Sequence, residues 1–148
     1  MTHTFNTPIG AVRLTEEGSY IIRIELTDAA APSSAPTPLL REAEHQITAF
    51  LRGDRRQLDF PIRMVGTPFQ QRVWRALQQI PYGTTRTYGE IATAIGNPRA
   101  SRAVGMACNK NPLLLIVPCH RVVGANGKLV GFAYDTEAKR WLLELEVE

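Results

Sequence analysis

Pro118-Cys119-His120-Arg121 sets a thiol beside an imidazole on a segment that a proline stiffens. A cysteine attacks as its thiolate, which a neighbouring cation, base or helix N-terminus favours. The five apolar residues before it, 113–117, predict a buried strand, so Cys119 is expected to leave the core at a rigid turn. Consecutive residues on an extended segment point to opposite sides, so adjacency does not guarantee a Cys119–His120 contact; a bridging water is the other route for the proton. Glu146 lies four residues past Leu142 and leans toward the apolar face of a C-terminal helix. A carboxylate aimed inward needs a partner. Either it holds the His120 imidazole in one tautomer, as in an oriented triad, or it is solvated in a frayed last turn. Cys108 reads as a small apolar residue within a helix, without reactive neighbours. Two cysteines and three scattered histidines match neither a disulfide framework nor a zinc spacing, so a structural metal is not expected.

The elements that position these residues leave clear marks. Thr67-Pro68-Phe69-Gln70 is a capping box with proline at the first helical position, and the helix it opens is expected to bury Phe69, Val73, Trp74 and Leu77 before Pro81-Tyr82-Gly83. Thr87-Tyr88-Gly89-Glu90 is a second capping box and opens a short helix ending at Gly96. Asn97-Pro98 is expected to cap a third helix almost at once, and two short helices across a tight turn are the helix-turn-helix pattern. Arg99, Arg102, Met106 and Asn109 form one stripe of that helix, and its small residues, Ala100, Ser101, Ala103, Gly105 and Ala107, suit close approach either to a groove or to a packed neighbour. Residues 122–130 read as a hairpin or wing turning at Asn126-Gly127, and residues 136–147 as a last helix with Ala138, Trp141, Leu142 and Leu145 inward. Upstream, residues 10–14 and 20–26 alternate around Glu16-Glu17-Gly18 as a hairpin. Residues 29–38 read as a surface loop, and Thr37-Pro38 starts a helix running to Gly53. The fold class expected is α/β (α+β): an N-terminal sheet-plus-helix scaffold, residues 1–64, then a mostly helical domain, residues 65–148, with a helix-turn-helix and a wing.

The composition suits such a molecule. At 148 residues and 44% hydrophobic the chain can bury a core and is too apolar to be disordered. It has no apolar run of about 18 residues and no signal-peptide pattern, so a soluble cytoplasmic protein is expected. Charge is uneven. Residues 67–128 carry 8 Lys/Arg and one acid, Glu90, whereas residues 1–66 carry 7 against 8 and residues 129–148 carry 2 against 5. A basic middle segment fits a phosphate-backbone binder, and equally an ordinary solvated surface.

Asn111-Pro112 followed by Pro118-Cys119-His120-Arg121-Val122-Val123 resembles the active-site signature of the O6-alkylguanine-DNA alkyltransferases. The resemblance takes in Gly66-Thr67-Pro68-Phe69-Gln70, Val73-Trp74, Ile80-Pro81-Tyr82-Gly83, Tyr88, Gly96-Asn97-Pro98 and Arg102-Ala103-Val104-Gly105, and downstream Lys139, Trp141-Leu142-Leu143 and Glu146, so it covers about residues 66–146. It implies direct-reversal DNA repair. Cys119 would accept the alkyl group of O6-alkylguanine irreversibly, once per molecule, from a flipped nucleotide. His120 would remove the Cys119 proton through a water, Glu146 would orient His120, and the Tyr88 hydroxyl would donate to a guanine ring nitrogen. Arg102 would enter the minor groove and fill the gap, with Arg99, Thr87, Ser101 and Ala103 also at the DNA. Asn111 would be a hinge between recognition helix and active-site segment. Leu114, Val122 and the Gly131-Phe132-Ala133-Tyr134 loop, with Phe132, Ala133 and Tyr134, would line the pocket. The partner implied is double-stranded DNA containing O6-alkylguanine, bound by a monomer, with no membrane, no metal and no cofactor.

One departure from the family pattern is Tyr134-Asp135, where two glycines are usual. A large aromatic there is expected to narrow or stiffen the pocket, favouring methyl over benzyl groups, unless Tyr134 swings outward to the DNA; Asp135 also suits a helix cap. Three other classes fit less well. A non-reactive damage binder lacks the acceptor cysteine, a helix-turn-helix regulator needs a dimerisation element, and a Cys-His hydrolase needs an oxyanion hole that the chain does not display.

Overall fold

Val12 and Leu14 alternate with Ala11 and Arg13 along β2 (Gly10–Glu17), so one face of that strand is buried and the other is not. It is the central strand of an antiparallel sheet in the order β1 (Thr2–Thr7), β2, β3 (Tyr20–Thr27). The β2–β3 register shifts between Thr15 and Glu16, which pair with Arg23 and Ile21. Ile22 is therefore the extra residue of a bulge, and Ile21 and Ile24 both reach the core although three positions apart. Helix α1 (Pro38–Leu51), capped by the Thr37 side chain on the Leu40 N–H, packs Leu40, Ala43, Ile47, Phe50 and Leu51 against this sheet. The hairpin and helix are as expected. Strand β1 had no alternating apolar signal, because Phe5 is its lone large apolar residue; its pairing with β2 creates it.

The computed structural model describes residues 1–28, 35–125 and 136–147. The described residues make a mixed α/β protein with the three-stranded sheet, a two-stranded parallel pair and five α-helices. They divide into two units, Met1–Val65 with Pro112–Leu114, and Gly66–Asn111 with Leu115–Glu148. Among them no helix is long and apolar enough to cross a membrane.

In the second unit both expected capping boxes are formed. Thr67 caps α2 (Pro68–Leu77) and Thr87 caps α3 (Tyr88–Ala94), each bonded reciprocally with Gln70 or Glu90. Helix α2 buries Val73, Trp74 and Leu77, but Phe69 is only half-buried, its ring beneath the Arg72 guanidinium at 5.8 Å. The third helix starts later than expected. Residues 97–100 form a turn closed by the Ala100 N–H on the Asn97 carbonyl, and α4 is Ser101–Asn109 with no side-chain cap. Arg99 consequently stands in the turn, ahead of the helix. Helices α3 and α4 pack on each other and on α2.

The expected strand at 113–117 is absent. Leu113 bridges to Ile24 in the first unit and the Leu114 N–H bonds the Ile24 carbonyl, whereas Leu115 has a φ of 73° and turns the chain. A left-handed leucine cannot continue an extended run, and burial of its side chain offsets a strain of about 1 kcal/mol. Val122–Val123 (β5) pairs in parallel with Arg86–Thr87 (β4). Residues 126–130 of the expected wing, with Asn126-Gly127, and the pocket loop with Phe132, Ala133, Tyr134 and Asp135, lie outside the described residues. Helix α5 (Thr136–Val147) buries Ala138, Lys139, Leu142 and Glu146, while Trp141 and Leu145 are partly exposed.

Candidate active site

Cys119 begins a 3₁₀ turn, Cys119–Arg121, directly after Val117-Pro118. The turn is closed by the Cys119 N–H on the Val117 carbonyl at 2.8 Å and the Arg121 N–H on the Pro118 carbonyl at 2.9 Å. Tight winding, not an extended segment, therefore sets the directions of Cys119, His120 and Arg121, and all three are buried. Asn111 braces the approach: its Nδ2 donates to the Val117 carbonyl at 2.8 Å, joining the end of α4 to the start of the turn.

Glu146 is the partner of the turn. The Nε2 of His120 lies 2.6 Å from its Oε2, and Arg121 donates from Nε to Oε1 and from Nη2 to Oε2, both at 2.8 Å. The Gly83 N–H adds a longer bond to Oε1 at 3.3 Å. Arg121 uses its remaining nitrogen on the Ile80 carbonyl at 2.9 Å, and its guanidinium lies 5.5 Å from the centre of the Tyr82 ring. Burial by itself would raise the Glu146 carboxyl; the hydrogen bonds and charges of His120 and Arg121 outweigh it and hold the group down to about 2. Burial likewise lowers His120, against the pull of Glu146, so the ring is neutral near pH 7. An ionised carboxylate only accepts, so the imidazole hydrogen is on Nε2. The basic nitrogen is then Nδ1, which is buried and has no hydrogen-bond partner among the described residues.

Burial pushes the Cys119 thiol well above its usual range, Cys108 adds to this, and the Asn111 side chain and the Lys139 charge oppose it. The Cys119 thiol also donates to the Cys108 carbonyl at 3.6 Å. Cys108 is thus a neighbour of Cys119, contrary to the reading of an isolated apolar residue. The last turn of α4 and the 3₁₀ turn are eleven residues apart, a proximity that spacing could not disclose. Two further residues were missed. Arg121 had no assigned partner, and Lys139, fully buried, donates from Nζ to the Val122 carbonyl at 2.6 Å; its amine is lowered by burial and raised in turn by both cysteines. A buried lysine and arginine on the apolar faces of their elements were the available signal.

Tyr88, first residue of α3, is half-buried; desolvation first, then Cys108 and Cys119, push its phenol up. It lines a groove of about 430 Å³ with Ser101, Arg102, Gly105, Met106 and Asn109. Arg102, Met106 and Asn109 are exposed along α4 as the stripe required. Of the other candidate residues, Arg99 and Ala103 are exposed, Thr87 is occupied with the α3 cap, and Val122 is buried. Leu114 is buried in the first unit, its N–H on the Ile24 carbonyl. A wider groove of about 850 Å³ beside Ile80, Arg86, Thr93 and Pro98 holds one acid, Glu90, which is committed to the α3 cap. Among the described residues no group of three or more His, Cys, Asp or Glu could hold a metal ion.

Known proteins are similar to this chain in sequence and in structure. The family described as "6-O-methylguanine DNA methyltransferase, DNA binding domain" matches residues 68–148. A methylated-DNA–protein-cysteine methyltransferase of Methanosarcina acetivorans is 48% identical over 96% of this chain and 95% of its own. The constitutive methyltransferase of Bacillus subtilis is 42% identical over 97% of this chain and 93% of its own. Among solved structures, Mycobacterium tuberculosis OGT in complex with DNA is 44% identical, with a TM-score of 0.89 over 99% of this chain and 92% of that one. With likeness running through both units, the chain belongs to the methylated-DNA–protein-cysteine methyltransferase family.

Proposed function

We propose that this protein repairs DNA by direct reversal, moving the alkyl group of O6-alkylguanine to Cys119 in one irreversible step per molecule. The observation that carries the reading is the buried turn that holds Cys119 next to a neutral His120 whose Nε2–H is fixed on ionised Glu146. The resting nucleophile is a thiol, because burial disfavours its charge. His120 Nδ1 takes the Cys119 proton through a water, and the imidazolium formed is stabilised by the Glu146 carboxylate. The thiolate attacks the alkyl carbon; the S–C bond forms as the C–O6 bond breaks, and guanine keeps the electron pair and regains a proton. Lys139 and Asn111 favour the thiolate against burial. The product is a thioether without an easy leaving group, so turnover ends there.

An O6-alkyl group inside a duplex is out of reach of a buried thiol, and the nucleotide must be flipped. We place the DNA at the groove of Tyr88 and Arg102, with α3 and α4 as a helix-turn-helix working in the minor groove, Arg102 in the vacated stack and Tyr88 guiding the base. The small, exposed α4 surface supports that close approach. Arg99, Thr87, Ser101 and Ala103 flank it, and Val122 is assigned to the pocket; Phe132, Ala133 and Tyr134, which the family resemblance assigns there, lie outside the described residues, and Leu114 belongs to the first unit. The N-terminal residues 1–64 act as scaffold to the DNA-binding and active-site residues 65–148, and the protein works as a monomer.

The test is intact-protein and peptide mass spectrometry after mixing with a duplex carrying one O6-methylguanine. One methyl group on Cys119, never more than one per protein, is expected. Tight lesion binding without added mass would make the protein a damage binder and overturn the transfer reading.

A further inference from the structure

Cys108 takes no part in the transfer step, yet it is a second buried thiol at the acceptor. Cys108 and Cys119 are both free, 1% and 3% exposed, and the Cys119 sulfur lies 3.6 Å from the Cys108 carbonyl oxygen. The contact is held from both sides. Trp74 Nε1 donates to the Ala107 carbonyl at 2.9 Å and pins the last turn of α4, and the Asn111 N–H reaches the Cys108 carbonyl at 3.2 Å. Asn111 Nδ2 then ties that end to Val117, on which the Cys119 N–H also closes. From that position a disulfide of about 2.05 Å requires rotation of both side chains, with Cys108 in the final turn of α4.

We propose that Cys108 and Cys119 are a redox pair which peroxide closes to a disulfide, masking the alkyl acceptor reversibly. The Cys119 sulfur attacks one peroxide oxygen; the O–O bond breaks, leaving Cys119 sulfenic acid and one water. The Cys108 sulfur then attacks the Cys119 sulfur, the S–O bond breaks, and the hydroxyl leaves with the Cys108 proton as a second water. Two electrons pass from the sulfur pair to peroxide. Without a resolving thiol, a sulfenic acid goes on to sulfinic and sulfonic acids that thiols do not reduce. Access rests on the proposed function in one respect: a sulfur that an alkylguanine reaches is reached by the smaller peroxide.

The full-length reduced protein is treated with hydrogen peroxide, its remaining thiols are capped, and peptides are mapped without reductant. The Cys108 and Cys119 peptides are expected as one cross-linked species lacking two hydrogens. Alkyl acceptance is lost with it and returns on treatment with dithiothreitol. Cys108→Ala treated alike is expected to carry added oxygen on Cys119 that dithiothreitol does not remove. Oxygen on wild-type Cys119 with Cys108 still free, or cross-links between separate molecules alone, overturns the proposal. A cross-link in a protein that never accepts an alkyl group upholds the pair and sinks the repair reading; acceptance without a cross-link does the reverse.

Discussion

Glu146 answers His120, Arg121 and Gly83 with two oxygens, and its burial makes each of those bonds matter. Glu146→Gln keeps the shape but leaves the Arg121 guanidinium buried without its counter-charge. Breaking one side of a buried pair costs about 3–5 kcal/mol, so urea unfolding should show a loss of that size. Single-turnover transfer should slow on the order of 10²-fold, since the imidazole loses its orienter. The same cluster sets an acid limit. His120 is lowered from 6.5, so below that pH the unfolded chain binds a proton that the folded chain refuses, and stability falls. Glu146 is lowered from 4.5 to about 2, so its contribution is complete above 4.5 and is lost as pH falls toward 2. The thermal unfolding temperature should decline in two stages as pH falls below about 7; in Glu146→Gln the lower stage should vanish.

Helices α2 and α4 are joined through one indole. Trp74 is fully buried, bonds to the Ala107 carbonyl, and leaves Gly66 no room: a Cβ there would lie 2.5 Å from its ring carbons and 2.8 Å from Gln70 Oε1. Gly66→Ala should destabilise by about 1–3 kcal/mol through overpacking, read as a lower urea midpoint. No change in midpoint would mean the indole yields freely. Gly83 is required on other grounds: its φ is 79°, and a Cβ would meet the Glu146 carbonyl at 3.0 Å while its N–H serves the Glu146 side chain. Both glycines thus set elements that in turn set Cys119 and Glu146.

Across the molecule the basic segment 67–128 is less available than its count suggests, because Arg121 is consumed by Glu146. Arg72, Arg75, Arg99, Arg102 and Lys110 are exposed, and these can meet phosphates. DNA affinity should therefore fall steeply with salt, and the flanking sequence should matter little. Arg102→Ala should weaken duplex binding and slow repair on DNA, while reaction with free O6-alkylguanine base stays near wild type. Equal slowing on both substrates would remove Arg102 from the DNA stack.

Local chemistry carried much of this protein in its sequence. The capping boxes at Thr67 and Thr87, the apolar spacing of α1 and α5 and the hairpin of β2 and β3 depend on residues a few positions apart, and so does the Cys119-His120 motif. The inward lean of Glu146 followed from helical geometry too. Tertiary structure decided what distance in the chain conceals. Strand β1 exists because β2 pairs with it, and residues 113–117 are broken at Leu115, not extended. Arg121 joins Glu146 across 25 positions, and Lys139 and Cys108 close on the acceptor turn. Those contacts belong to groups buried together, where an unpaired charge costs several kcal/mol. Pairing in space, which no local pattern encodes, therefore selects the partners.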